Sequence, residues 1–174
     1  MPVFTVGLNA GKLISATHNC PFFETTHQEN HIKSSLLGKN LLNENRFLAV
    51  HMSGGTTEIV LVNKNEYNDY EFEIIGGTKD ISFGQLIDRL GVKLSYNFPC
   101  GKYIDKNALK SDIKIENGLK TSVKDGYMNL SGLENQLNKI MENDDNIDKY
   151  YLSKLLMDTI VRCMLKSLKY LCEK

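Results

Sequence analysis

The stretch from Phe47 to Val62 constrains the chain most. Two apolar runs, Phe47–Val50 and Ile59–Val62, flank Ser53-Gly54-Gly55-Thr56-Thr57. Aliphatic and β-branched segments around a short Gly-Gly turn predict an antiparallel hairpin. The glycines let backbone approach a ligand closely, and Ser53, Thr56 and Thr57 set hydroxyls beside exposed amides. Adjacent backbone N–H groups form an anion-binding concavity, so the turn suits phosphate. Most Gly-Gly hairpin turns bind nothing, and the turn alone leaves both readings open.

The flanking chain extends the hairpin. Tyr70 to Ile75 alternates and then turns apolar, which predicts a third antiparallel strand ended by Gly76-Gly77. Such a meander needs a helix over one face. Residues 81–91 supply it, with Phe83, Leu86, Ile87 and Leu90 at helical spacing and Gly91 as the C-terminal stop. Asp88 lies off that stripe, where a solvated acid would. Asn97 to Lys102 reads as a turn into a helix over Tyr103–Leu109, with Gly101 placed to approach a ligand. Residues 111–130 read as loop with one short strand, Ser131 as a helix start, and 143–146 as a loop. Over Ile147–Leu171 a long amphipathic helix is expected, its core stripe being Ile147, Tyr151, Leu156, Ile160, Met164, Leu168 and Leu171. The chain stops within three residues of that stripe, so the helix's other side is expected to lack a cover.

Residues 4–19 predict a helix in which Gly7 and Gly11 allow close packing. Cys20-Pro21 breaks it, and Phe22–Thr25 reads as a short strand. Thr26 followed by Glu29 forms a capping box that starts the next helix. It puts His27 and His31 one above the other on one face, where two imidazoles can share a metal ion. Two surface histidines would look the same. Gln28 stands where the common zinc-protease motif has its Glu, so that motif's water-activating base is missing and the pair is not read as a protease.

Composition sets outer bounds. At 174 residues and 41% hydrophobic, the chain can bury a sizeable core, and one domain is the default. Lysine plus arginine equals aspartate plus glutamate at 21 each, so no overall field announces a nucleic acid or a membrane. Lys102, Lys106 and Lys110 make at most a local basic patch and read as a solvated helix face. The four cysteines are scattered without a Cys-x-x-Cys pair, which predicts reduced thiols in a cytoplasmic protein. The start of the sequence does not read as a leader, so none is expected, and no apolar run reaches membrane-spanning length.

Taken in order, the His-x-x-x-His helix, the Ser-Gly-Gly-Thr-Thr hairpin, the Gly-Thr-x-Asp…Gly-x-x-x-Asp helix and the Phe-Pro-x-Gly…Ile-Asp turn resemble the tRNA threonylcarbamoyladenosine synthases. That family was formerly called glycoproteases or O-sialoglycoprotein endopeptidases, a label without chemical support in these residues. The resemblance covers nearly all of this chain but only about the middle half of a typical member. It implies an actin-like, ribonuclease-H-like (ASKHA) α/β fold, a mixed sheet whose antiparallel meander is covered by helices. Residues 1–45 would end the first lobe as helix-strand-helix, and 46–174 would form second-lobe sheet and helices, without a clear linker between them.

The resemblance also implies a site. His27 and His31 match the metal-binding histidines, for iron or zinc. Met52, Ser53, Gly54, Gly55 and Thr56 match the segment that touches ATP or threonylcarbamoyl-adenylate. Asp88 matches the adenosine-ribose carboxylate, and Gly101 and Asp105 match further ligand contacts. Leu130-Ser131-Gly132-Leu133 resembles the segment before the closing helices. Thr56 stands for the family's His, Ile81 for an Asp, Gln85 for a Glu and Cys100 for a Gly. The N-terminal strands and the C-terminal segment with the third metal ligand, an Asp, have no counterpart, so the chain reads as a fragment, a truncated gene product or a degenerate relative. The implied activity is metal-assisted transfer of threonylcarbamoyl from its adenylate to a tRNA adenine. Implied partners are an adenine nucleotide, tRNA within a complete complex, and another actin-like subunit or a second copy. A non-catalytic actin-like paralogue that serves as a pairing module, and a plain nucleotide-binding domain without metal, are the rival readings.

Overall fold

The computed structural model describes residues 2–67, 69–116, 118–144 and 146–174. These fall into two compact units, one up to Leu42 and one from Asn43 onward.

In the first unit, α1 spans Pro2–His18 and α2 spans His27–Leu36. The expected capping box closes α2: Glu29 N–H donates to Thr26 Oγ1 at 3.2 Å, and Thr26 N–H donates to Glu29 Oε2 at 3.0 Å. Gly11 packs closely, since a Cβ there would lie 2.6 Å from the Phe22 ring, but Gly7 faces open space. The strand expected over Phe22–Thr25 is not formed. Every strand among the described residues lies between Arg46 and Asn129, and a strand without a partner leaves its backbone groups unpaired.

In the second unit the meander is present. β1 (Arg46–Met52), β2 (Thr57–Lys64) and β3 (Tyr70–Thr78) are antiparallel neighbours, with Met52 opposite Thr57 across the turn. Gly76-Gly77 does not end the third strand. β3 runs on to Thr78, past a bulge opposite Ile59/Val60, and Gly77 takes φ +139. A Cβ at Gly77 would strike the Thr57 carbonyl oxygen, so only glycine lets β3 pass β2 this closely. β3 then pairs in parallel with β5 (Tyr127–Asn129), whose other neighbour is β4 (Ser122–Lys124). The order β1-β2-β3-β5-β4 makes a mixed five-stranded sheet. Residues 111–130 thus hold two strands, not one, joined by Asp125-Gly126 with φ +53 and +80, the left-handed pair that a tight hairpin turn requires.

Helices α3 (Phe83–Lys93), α4 (Gly101–Lys110), α5 (Ser131–Asn143) and α6 (Lys149–Cys172) complete the unit, and its core joins Phe83, Leu86, Ile104, Met128, Leu133 and Leu156. Gly91 is not the stop of α3. It is buried inside the helix against Cys100, whose Sγ would lie 2.7 Å from an added Cβ, and the cap is Leu94. α4 starts at Gly101, earlier than expected. The long helix is placed as expected, but its buried side runs Leu152, Leu155, Leu156, Thr159, Ile160, Cys163 and Ser167. Of the expected stripe only Leu156 and Ile160 are fully buried; Tyr151, Met164, Leu168 and Leu171 are half-buried.

Candidate functional site

The β1–β2 register closes the turn 53–56 and fixes its hydroxyls. Ser53 N–H donates to the Thr56 carbonyl at 2.9 Å. Ser53 Oγ accepts the N–H groups of Thr56 at 3.0 Å and Gly55 at 3.3 Å, and lies 2.7 Å from Thr56 Oγ1. Among the described residues the Gly54 N–H has no partner, and an added Cβ at Gly54 or Gly55 would meet nothing within 4 Å. Met52, the last residue of β1, is 50% exposed beside this rim. Thr57 points the other way and is buried, its Oγ1 accepting the Phe83 N–H at 3.2 Å.

Helix α3 docks on this turn by its N-terminus. Ser82 caps the helix by accepting the Gln85 N–H at 3.0 Å while donating to the Gly54 carbonyl at 2.8 Å. Gly84 sits against the turn: a Cβ there would lie 2.5 Å from Gly54 Cα and 2.7 Å from the Ser53 carbonyl oxygen. One helical turn on, Asp88 shares the Gly84 face. Its Oδ1 accepts the Cys100 N–H at 2.7 Å, at the start of α4, so the expectation of a solvated acid fails. Asp88 Oδ2 has no partner among the described residues. One helix therefore ties the Gly-Gly turn, an acid and the amino end of α4 into a single row.

Gly101 opens α4 beside the Asp88–Cys100 bond, and Asp105, one turn further, is exposed on the same face. Lys102, Lys106 and Lys110 are exposed along α4, as a solvated face requires. Asp88 also lines a shallow open cleft of about 390 Å³ with Arg89, Val92, Lys93, Phe98 and Glu134. Arg89 and Glu134 bridge it at 2.7 Å. Burial, and then the Asp88 charge, push the Cys100 thiol up from its ordinary value. Cys100 is thus a neutral packing group rather than a nucleophile.

Asp80, the Asp of the Gly-Thr-x-Asp motif but not among the expected ligand contacts, fixes the opposite end of this region. Its carboxylate accepts the N–H groups of Leu130 at 2.9 Å and Ser131 at 2.8 Å, capping α5, and the Ile81 N–H at 2.8 Å. Partial burial raises its pKa, but the backbone donors Leu130 and Ser131, the Ser131 side chain and Ile81 outweigh it and bring the carboxyl down to about 2. The partners lie 50 residues apart, so only the Ser82-x-x-Gln85 capping box of this neighbourhood had a local signature.

The His27 and His31 rings meet edge to face at 4.4 Å, with Nε2 atoms 3.0 Å apart, and both side chains are exposed. One ion held by two imidazoles at about 2.1 Å in tetrahedral geometry needs a separation of about 3.4 Å. The pair fits two positions of a metal shell after a shift of a few tenths of an ångström. No group of three His, Cys, Asp or Glu side chains suited to a metal occurs among the described residues. The histidines belong to the first unit and the Gly-Gly turn, Asp88, Gly101 and Asp105 to the second. Among the described residues no helix is long and apolar enough to cross a membrane.

Residues 3–170 match the family described as tRNA N6-adenosine threonylcarbamoyltransferase. The chain is similar to proteins of that name from Limosilactobacillus reuteri, 29% identical over 90% of this chain and 45% of the relative. Those from Lactobacillus gasseri and Sulfurihydrogenibium are each 32% identical, over 90% and 94% of this chain and 44% and 51% of the relative. The chain spans about half the length of the curated relatives it matches.

Proposed function

Because this chain belongs to the tRNA N6-adenosine threonylcarbamoyltransferase family, we propose that its second unit is the nucleotide-holding part of such an enzyme, built on an actin-like lobe. The ligand is ATP or threonylcarbamoyl-adenylate. The observation that carries this reading is the row made by α3, which joins the Gly-Gly turn through Ser82 and Gly84 to Asp88 and the start of α4. A phosphate lies against the Gly54 N–H and the paired hydroxyls of Ser53 and Thr56, beside Met52 and Gly55. Asp88 Oδ2 takes a ribose hydroxyl, and Gly101 and Asp105 border the nucleoside.

In the reaction the N6 amine of a tRNA adenine attacks the threonylcarbamoyl carbonyl carbon. A C–N bond forms, the C–O bond to the adenylate phosphate breaks, the amine loses a proton, and AMP leaves. Donors at the Gly-Gly turn stabilise charge gathering on the departing phosphate. His27 and His31 would supply two of the ligands to an iron or zinc ion, whose chemistry there would be to polarise the carbonyl. The remaining ligands come from outside the residues of this chain described above. tRNA engages a complete complex, with another actin-like subunit or a second copy present, in the cytoplasm.

Titration calorimetry with ATP tests the reading. Wild-type protein binds, whereas Gly54→Ala and Asp88→Asn each weaken binding at least tenfold with unchanged unfolding curves. Asp88→Asn keeps an acceptor for the Cys100 N–H, so its effect reports the ligand. Unaltered binding in both variants would refute the site. Zinc uptake lost in His27→Ala/His31→Ala checks the metal separately.

A further inference from the structure

The row along α3 continues past Asp88. Gly84 meets the Gly-Gly turn, Asp88 lies one helical turn on, and the next position on that face is Val92, each step advancing about 6 Å. Val92 is 56% exposed, and Phe98, in the loop between α3 and α4, is 75% exposed. Both line the open cleft of about 390 Å³ together with Asp88, and the Arg89–Glu134 pair lines it too. Apolar side chains with a few polar groups among them make up a small-molecule site, and the volume falls in the usual range of roughly 300–1,000 Å³.

What fills the cleft follows from its continuity with the row. Asp88 belongs to both, since its Oδ1 accepts the Cys100 N–H and the same residue lines the cleft. That hydrogen bond also holds the loop carrying Phe98, two residues earlier, against α3. Turn, acid and apolar cleft therefore follow one another along the helix in the order phosphate, sugar and base follow one another in a nucleotide. A sugar hydroxyl on Asp88 Oδ2 leaves the base one helical step further on, at Val92 and Phe98. A flat heterocycle is held there by its face, and an aromatic ring is the side chain that stacks on it.

We propose that Val92 and Phe98 form the base-binding face of the site, with the purine of the nucleotide stacked on the Phe98 ring and Val92 beside it. This assignment rests on the nucleotide reading above and adds to it the residues that hold the base.

Calorimetry of the full chain with ATP and with ribose 5-triphosphate, which lacks the base, tests this. Phe98→Ala, at an exposed position that leaves the unfolding curve in place, weakens ATP binding about tenfold and leaves ribose 5-triphosphate binding unchanged. Phe98→Tyr keeps the ring and binds ATP as wild type does. The fluorescence of 2-aminopurine riboside triphosphate, which stacking quenches, falls on saturation with wild type or Phe98→Tyr and stays bright with Phe98→Ala. Unchanged ATP affinity in Phe98→Ala while Asp88→Asn weakens it would overturn the base face and leave the rest of the nucleotide site standing, as would an equal loss for both ligands. Wild-type protein that binds no ATP would overturn both.

Discussion

Replacing Gly84 with alanine strikes the joint that holds α3 on the Gly-Gly turn. The added Cβ would lie 2.5 Å from Gly54 Cα, 2.7 Å from the Ser53 carbonyl oxygen and 2.9 Å from that of Gly54. All three are backbone atoms, so no side chain can swing aside and the helix end must move. Overpacking of this kind costs about 1–3 kcal/mol. The movement also stretches the Ser82–Gly54 and Phe83–Thr57 hydrogen bonds, worth about 1 kcal/mol each. Alanine's helix preference over glycine offsets about 1 kcal/mol. The net loss is about 2–4 kcal/mol, a fall in Tm of roughly 5–15 °C for a chain of this size. Urea unfolding monitored by circular dichroism measures it. Gly7→Ala is the control of opposite sign: its Cβ meets nothing within 4 Å in the middle of α1, so alanine stabilises by up to about 1 kcal/mol. A Gly84→Ala protein within about 0.5 kcal/mol of wild type would refute the docking of α3 on the turn.

Two further predictions concern ionisation. The Asp80 carboxyl is held near 2 against a usual 3.8, so the group binds fewer protons folded than unfolded. Its contribution is therefore present above about pH 3.8 and disappears as pH falls through 2. After allowance for its solvent exposure it amounts to about 1 kcal/mol, and Asp80→Asn should flatten the acid limb of the stability curve by that amount. Burial pushes up the thiols of both Cys100 and Cys163. Iodoacetamide on native protein should therefore modify Cys20 and Cys172, which are exposed, and spare the other two, as peptide mass spectrometry would show.

The meander was legible because β1 and β2 are apolar runs on either side of a Gly-Gly turn, so register followed from the turn. The capping box at Thr26 and the periodicity of α3 are equally local, and both helices form where they were expected. The failures share a cause, which is that tertiary partners decided them. Phe22–Thr25 has strand-like residues but, among the described residues, no neighbouring strand to pair with. Gly91 carries a stop signal, yet the buried Cys100 side chain needs its missing Cβ inside the helix. Asp125-Gly126 was a readable hairpin signal within a polar stretch whose strands are only three residues each. For the candidate site, the turn and Asp88 were expected from sequence as separate elements, but the contacts of Ser82 and Gly84 that join helix α3 to the turn were not. Asp80 and Leu130 meet across 50 residues, a distance that spacing rules do not reach.

Amide hydrogen exchange with and without ATP tests the central claim most directly, because it locates the ligand without any substitution. The account predicts slowed exchange in the turn 53–57 and at the start of α4, residues 100–105, with α3 between them protected and β4–β5 unchanged. Protection confined to other segments, or no protection in folded protein at saturating ATP, would contradict it.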